Sequence, residues 1–196
     1  MNLTRYRPTL PAMIASTVLV VGLIAVLATT MGAKDKQQMR DEQEIQDVVI
    51  KAFELTHGGS TMLPEPYRSE PTTDVPSDVS SMLHEGVIAS LSEVYSDQSP
   101  ILKNRIELMQ REIDRQGPNG YRDLGGGMRW IRNVTIQVNG DTAVFEADIR
   151  GWGRFIMEGK TFTPENTAHE RYTLVREDGT WKITDHELTF LPGEGP

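Results

Sequence analysis

Apolar residues recur every third or fourth position over the middle of the chain and every second position after Met128. The first spacing marks one face of a helix, the second one face of a strand. From Glu44 to Thr56, Ile45, Val48, Val49, Ala52 and Phe53 make a helical stripe, which Gly58-Gly59 stops. A second stripe, Val79, Met82, Leu83, Val87, Leu91 and Val94, predicts a helix to about Tyr95 with Ser77 as its N-cap. Asp97-Gln-Ser-Pro100 breaks it. Ser99 then caps a third helix, with Pro100 at its first position and Ile101, Ile106, Leu108, Met109 and Ile113 as its apolar residues. That helix ends at Gln116-Gly-Pro-Asn-Gly120, and Gly125-Gly-Gly127 reads as a flexible point.

In the stranded half, Met128, Trp130, Val134, Ile136 and Val138 share a face, opposite Ile131, Asn133, Thr135 and Gln137. Asn139-Gly140 predicts a type I′ hairpin turn, and the return strand from Thr142 to about Arg150 points Phe145, Ala147 and Ile149 inward. Gly151-Trp-Gly153 reads as a bend or bulge, followed by strand or loop from Arg154 to Thr163. A strand from about Thr167 to Glu177, a turn at Asp178-Gly179 and a strand from Thr180 to Phe190 complete the pattern. Helices first and strands later predict an α+β domain, with the helices packed on one face of a curved antiparallel sheet.

The flanks divide differently. Residues 1–10 read as a short cytoplasmic tail. Residues 11–33 carry no charge and are long enough to cross a bilayer as one helix, with a cleaved signal peptide as the alternative. Arg5 and Arg7 precede that run, and a long polar domain follows it, which places the N-terminus inside and the C-terminal domain outside the cytoplasm, at the cell membrane. Residues 34–43 read as a helical stalk, residues 44–190 as the folded domain, and 191–196 as a flexible tail. Within the domain, residues 60–77 hold Pro64, Pro66, Pro71 and Pro76 and predict a loop, longer than most connections and therefore functional or mobile.

Twenty Lys and Arg against 28 Asp and Glu give a net charge of −8, which argues against nucleic acid as a partner. The absence of cysteine removes disulfides and thiol chemistry. Four scattered His, with no paired spacing and no acid-rich loop, give no metal site, and no phosphate-cradling loop or other cofactor pattern is present.

The order of elements resembles the nuclear-transport-factor-2-like (NTF2-like) superfamily, the cone fold that includes ketosteroid isomerases and polyketide cyclases. The closing hairpin, Tyr172-Thr-Leu-Val-Arg-Glu-Asp-Gly-Thr-Trp-Lys-Ile-Thr-Asp185, carries most of the likeness, together with the opening amphipathic helix. The resemblance covers roughly residues 44–190, and the Pro-rich loop departs from it. It implies a pocket between the helices and the concave sheet, where enzymatic members use Asp or His. On a single-pass anchor the fold also resembles scaffold subunits of secretion and conjugation machines.

Candidate chemistry follows from the alternation. Trp181, Ile183, Asp185, Glu187 and Thr189 share a face, so Asp185 and Glu187 could sit at the pocket mouth as acid and base. The plainer reading has the strand twisting out of the core by Asp185, leaving both solvated. His169, on the neighbouring strand, is a general-base candidate or a surface histidine. Glu146, Asp148 and Arg150 read as a wet outer face. Trp130, Trp152, Tyr121, Phe155 and Phe162 form either an aromatic rim or core packing. Trp152, flanked by Arg150 and Arg154, is the candidate binding surface, unless its ring closes the end of the core. These features favour a membrane-held interaction or assembly module that contacts other proteins. The alternative is a small-molecule-binding or isomerase-like enzyme working in the cone.

Overall fold

The computed structural model describes residues 10–70, 72–117 and 120–195, and the side chains of 10–31, 33 and 34 lie outside that description. Its elements are α1 (Leu10–His57), α2 (Ser77–Val94), α3 (Pro100–Asp114), β1 (Arg122–Asn139), β2 (Thr142–Met157), β3 (Lys160–Phe162), β4 (Glu165–Glu177) and β5 (Thr180–Phe190). The chain divides into two compact units, Met1–Asp41 and Glu42–Pro196. In the first, the backbone is helical from Leu10. The expected tail 1–10 and span 11–33 rest on side chains outside the described residues. Among the described residues, no helix is long and apolar enough to cross a membrane.

The second unit is α+β. Its antiparallel sheet runs β1-β2-β4-β5, with the short β3 on the far part of β2. The helical stripes meet the inward face of the sheet. Ile45, Val49, Ala52 and Phe53 of α1, Val87, Leu91 and Val94 of α2, and Leu102, Met109 and Ile113 of α3 pack with Phe145, Ala147, Ile149, Leu174, Trp181 and Ile183. Burying each large apolar side chain contributes about 1.5–3 kcal/mol, so this shared core holds the helices on the sheet. Ser99 caps α3 as expected, accepting from the N–H of Ile101. The expected turn at Asp178-Gly179 forms, with φ of 50° and 80°, both in the left-handed region that a type I′ turn uses.

Several boundaries differ from the pattern, each for a physical reason. Gly125-Gly-Gly127 is not a flexible point but part of β1. A Cβ at Gly126 would collide with the carbonyl oxygens of His57 and Trp152, so glycine is what lets the end of α1 rest on the sheet. The Glu54 carboxylate completes that contact by accepting from the N–H of Met128 at 3.0 Å. Strict alternation fails along β1 because bulges interrupt it between Met128 and Trp130 and between Arg132 and Thr135, where Asn133 has φ 54°. The phase therefore shifts: Ile131 packs on the core and Val134 is exposed. The first hairpin turns one residue later than expected, on Gly140 and Asp141, because Asn139 pairs with Thr142. Ser77 is the first helical residue of α2 rather than its cap. Pro76, at φ −59° and ψ 144°, takes the capping place, so the Ser77 hydroxyl satisfies no helix N–H.

Gly151-Trp-Gly153 makes no bulge in β2 against β4, whose register with it is unbroken from Thr142 to Trp152. Gly151 makes room for the Phe53 ring, since a Cβ there would lie 3.0 Å from Cζ. The Pro-rich loop 60–77 is pinned. The buried Arg122 side chain donates to the carbonyls of Tyr67 (2.7 Å), Thr73 (2.6 Å) and Glu70 (3.4 Å) in the loop, and to those of Gly117 and Tyr121 (both 3.0 Å). Residues 191–195 are not a free tail either. The N–H of Leu191 donates to the Thr167 carbonyl at 3.0 Å, and Glu194 lies 3.6 Å from Arg150.

Candidate active site

The last strand decides which acids and histidines face inward. Leu174 pairs with Ile183 but Thr173 pairs with Asp185, so Thr184 is an extra residue. The Ser99 hydroxyl donates to the Thr184 carbonyl at 2.7 Å, and the Ser96 N–H to that of Ile183 at 2.9 Å, which fixes the bulge from the α2–α3 junction. Past it the alternation inverts. Asp185 and Glu187 are exposed on the outer face, not at the pocket mouth, and His186 turns inward. On that outer face Arg171 reaches Glu146 at 3.1 Å and Glu187 at 3.8 Å. His169 is also outward, 2.9 Å from Asp148. The Asp148 carboxyl sits below its ordinary pKa because Asn133 and then His169 hydrogen-bond it. None of Asp185, Glu187 and His169 reaches the interior.

The inward polar groups are different ones. Glu170 lies on the inner face of β4 between Ala168 and Tyr172 and is 2% exposed. Its Oε2 accepts from the Tyr172 hydroxyl and from His186 Nε2–H at 3.1 Å. Arg105 Nη2 approaches His186 Nδ1 at 2.6 Å. A guanidinium can only donate, so Nδ1 accepts and Nε2 carries the hydrogen. The Tyr172 ring stacks on His186, with centroids 4.2 Å apart and 12° between planes. Burial, and then the charge of Glu170, push the Tyr172 phenol well above its ordinary pKa; burial likewise raises that of Tyr95, whose hydroxyl meets Arg105.

Two signals in the sequence point to this network. Arg105 is a cation in the buried stripe of α3 with Leu102 and Met109, and Glu170 is an acid in the inward alternation Ala168, Glu170, Tyr172, Leu174. His186 had no such signal, because the bulge at Thr184 is invisible to a period count.

Arg105 lines a cavity of about 340 Å³. The end of α1 and the start of the pinned loop form one wall, α3 a second, and β1 with the Gly151–Phe155 stretch of β2 a third. His57, the last residue of α1, is exposed to this space. Its ring stacks on Phe53 at 4.3 Å, and Nδ1 lies 3.2 Å from the Phe53 carbonyl. A carbonyl only accepts, and the Thr56 hydroxyl, 3.0 Å from Nδ1, donates to the carbonyls of Ala52 and Phe53, so Nδ1 bears the hydrogen and Nε2 is the free, basic nitrogen. The surrounding protein lowers the His57 pKa from 6.5 by desolvation, which keeps the imidazole neutral at physiological pH.

The acids of the cavity are committed to neighbours. Asp123 accepts from the Thr61 hydroxyl at 2.5 Å and from the Gly125 N–H at 2.9 Å; Glu112 meets Arg115 at 2.6 Å and the Tyr121 hydroxyl at 3.3 Å. Tyr121 and Phe155 line the space, 5.8 Å apart, and Phe162 stacks behind Phe155 at 5.4 Å. Of the expected aromatic set, Tyr121, Phe155 and Trp152 line the cavity.

The expected Arg150–Trp152–Arg154 surface is only partly cationic. Arg150 lies 3.1 Å from Glu165 and 3.6 Å from Glu194, so its charge is balanced. The half-buried Trp152 ring is covered by Arg129 at 4.5 Å. Arg154 is exposed and stands at the cavity. Among the described residues no group of three or more His, Asp or Glu is placed to hold a metal ion.

Helices covering a curved antiparallel sheet, with a polar-lined cavity between them, define an NTF2-like protein. The chain belongs to the SnoaL-like domain family, whose model matches residues 77–187. None of the curated proteins searched matches the sequence. The solved structures it resembles match at low identity. An NTF2-like protein with a cystatin-like fold from Novosphingobium aromaticivorans is 16% identical, over 82% of this chain and 88% of that one, with a TM-score of 0.45. A protein described as a scytalone dehydratase from the same species is 12% identical, covering 80% and 87%, with a TM-score of 0.49. A hexachlorocyclohexane dehydrochlorinase from Novosphingobium barchaimii is 14% identical, covering 81% and 95%, with a TM-score of 0.47.

Proposed function

We propose that residues 42–196 bind a small molecule in the cavity and use His57 as a general base in a proton-transfer reaction of the isomerase or elimination type. One observation carries this reading: a neutral imidazole whose Nδ1 is tied to the Phe53 carbonyl, leaving Nε2 free in a cavity that also holds Arg105. A base whose conjugate acid has a pKa near or below the working pH is present in the form that takes a proton, and a cation beside it stabilises the anion that forms. The cavity volume lies at the small end of ordinary ligand sites.

Solvent deuterium incorporation into a panel of cyclic ketones tests the base. Wild-type protein should exchange α-protons, and His57→Gln should lose about 100-fold or more of that rate. The wild-type rate should fall to half at a pH below 6.5, where the lowered pKa of His57 is crossed. Equal exchange by wild type and variant would remove His57 from the chemistry.

The anchor is part of the same proposal: the uncharged run 11–33 holds this domain at the cell membrane, with the N-terminus cytoplasmic. Protease added to intact spheroplasts should cleave the domain. Protection would place it inside, and a mature N-terminus near Lys34 would mean a cleaved leader. A second reading, an interaction or assembly subunit of a secretion or conjugation-type complex, is favoured by large apolar side chains left exposed, Met82 and Ile88 on α2 and Leu188 and Phe190 on β5. Crosslinking in native membranes, with Met82→Lys and Phe190→Lys as the disrupting variants, separates it from the first.

A further inference from the structure

We infer that the ligand of this cavity is a small aryl or cyclic carboxylate, held through its anionic oxygens by Arg105; this rests on the reading of the cavity as a ligand site. Asp123 and Glu112 each already accept from groups beside them, as described above. Arg105 is different. Its contacts are the neutral acceptors His186 Nδ1 and the Tyr95 hydroxyl, and no carboxylate lies within ion-pair distance of it among the described residues.

These two contacts use part of a fork with five N–H donors, leaving donors without a protein partner on a residue that lines the cavity. The fork is also fixed in place. His186 is held by Glu170 and stacked on Tyr172, so the guanidinium is oriented before any ligand arrives. A planar, oriented guanidinium with spare donors matches a carboxylate in two parallel hydrogen bonds, a geometry that a lysine cannot supply.

The remaining walls set the rest of the molecule. Tyr121 and Phe155 on one side and Leu108 and Met109 on the other offer faces for a ring, and about 340 Å³ admits one or two rings but not a long chain. Arg154, exposed beside the same cavity, adds a second positive charge on the approach of an anion to a chain whose net charge is −8.

The test is equilibrium binding to the full chain of matched pairs: benzoate against benzamide, and 2-naphthoate against 2-naphthamide. Each carboxylate should bind about tenfold or more tightly than its amide. Arg105→Met should abolish the preference, and Arg105→Lys should keep only part of it. Amides that bind as well as the acids overturn the carboxylate assignment and leave the cavity reading standing. If no member of either series binds, both fall. Because Arg105→Met leaves His186 Nδ1 without its donor, a measurement on wild type stands beside it. The ¹⁵N–¹H resonance of Arg105 Nε should move on addition of 2-naphthoate, and an unmoved resonance with bound ligand overturns the proposal.

Discussion

Arg122→Met is expected to lower the melting temperature of the domain by about 10 °C. The guanidinium is fully buried and donates to the carbonyls of Tyr67, Glu70, Thr73, Gly117 and Tyr121. Methionine fills much of the volume and donates nothing. Each carbonyl left buried without a donor costs about 1–3 kcal/mol, and some will find water, so a net loss of about 3–5 kcal/mol is expected. For a domain of this size, each kcal/mol is worth about 2–4 °C. The loss should be local before it is global. Hydrogen exchange of the loop 60–77 should accelerate first, because Arg122 is what ties its carbonyls to β1. A melting temperature within 2 °C of wild type would mean the loop is held by something else.

The second large effect is at Glu170. Glu170→Ala leaves His186 Nε2–H and the Tyr172 hydroxyl without their shared acceptor, and opens a void beneath the helices. Removing one partner from a buried, hydrogen-bonded set of this kind costs about 3–5 kcal/mol. Asp185→Ala is the matched control: Asp185 is exposed, and its loss should fall within about 0.5 kcal/mol of wild type. Chemical denaturation of the two variants side by side checks both values. Equal midpoints would contradict the inversion of β5 at Thr184. Glu170→Gln should be milder, since its amide oxygen still accepts one of the two donors.

The contrast between these two acids shows how far the sequence reaches. Period and turn chemistry are local properties, so the three helical stripes, the Phe145–Ala147–Ile149 face and the Asp178-Gly179 turn can be read one segment at a time. Their sum is enough to define an α+β domain with helices on an antiparallel sheet. Bulges are not local in this sense. The extra residue at Thr184 is held by Ser99 and Ser96, about 85 positions earlier, and it exchanges Asp185 for His186 on the inner face. A period count places the wrong acid inward there. The same holds at Asn133, which reverses Ile131 and Val134.

The glycines mislead for a related reason. Gly126 and Gly151 look like breaks in a strand pattern, but each is small because another element presses on it: the His57 and Trp152 carbonyls in one case, the Phe53 ring in the other. Arg122 carries no signal at all in a single sequence, since its partners are carbonyls, which every residue has. Arg105 and Glu170 do carry one. A charged residue in an apolar stripe is costly unless it is paired, so it marks a position where the fold has built something for it.

That His57 presents a free, basic Nε2 to the cavity is open to ¹⁵N NMR of the imidazole in the full chain across a pH titration. The expected result is a neutral Nδ1–H tautomer, a pKa below 6.5, and a shift of the Nε2 resonance when 2-naphthoate is added. An Nε2–H tautomer, or a pKa at or above 6.5, would contradict it.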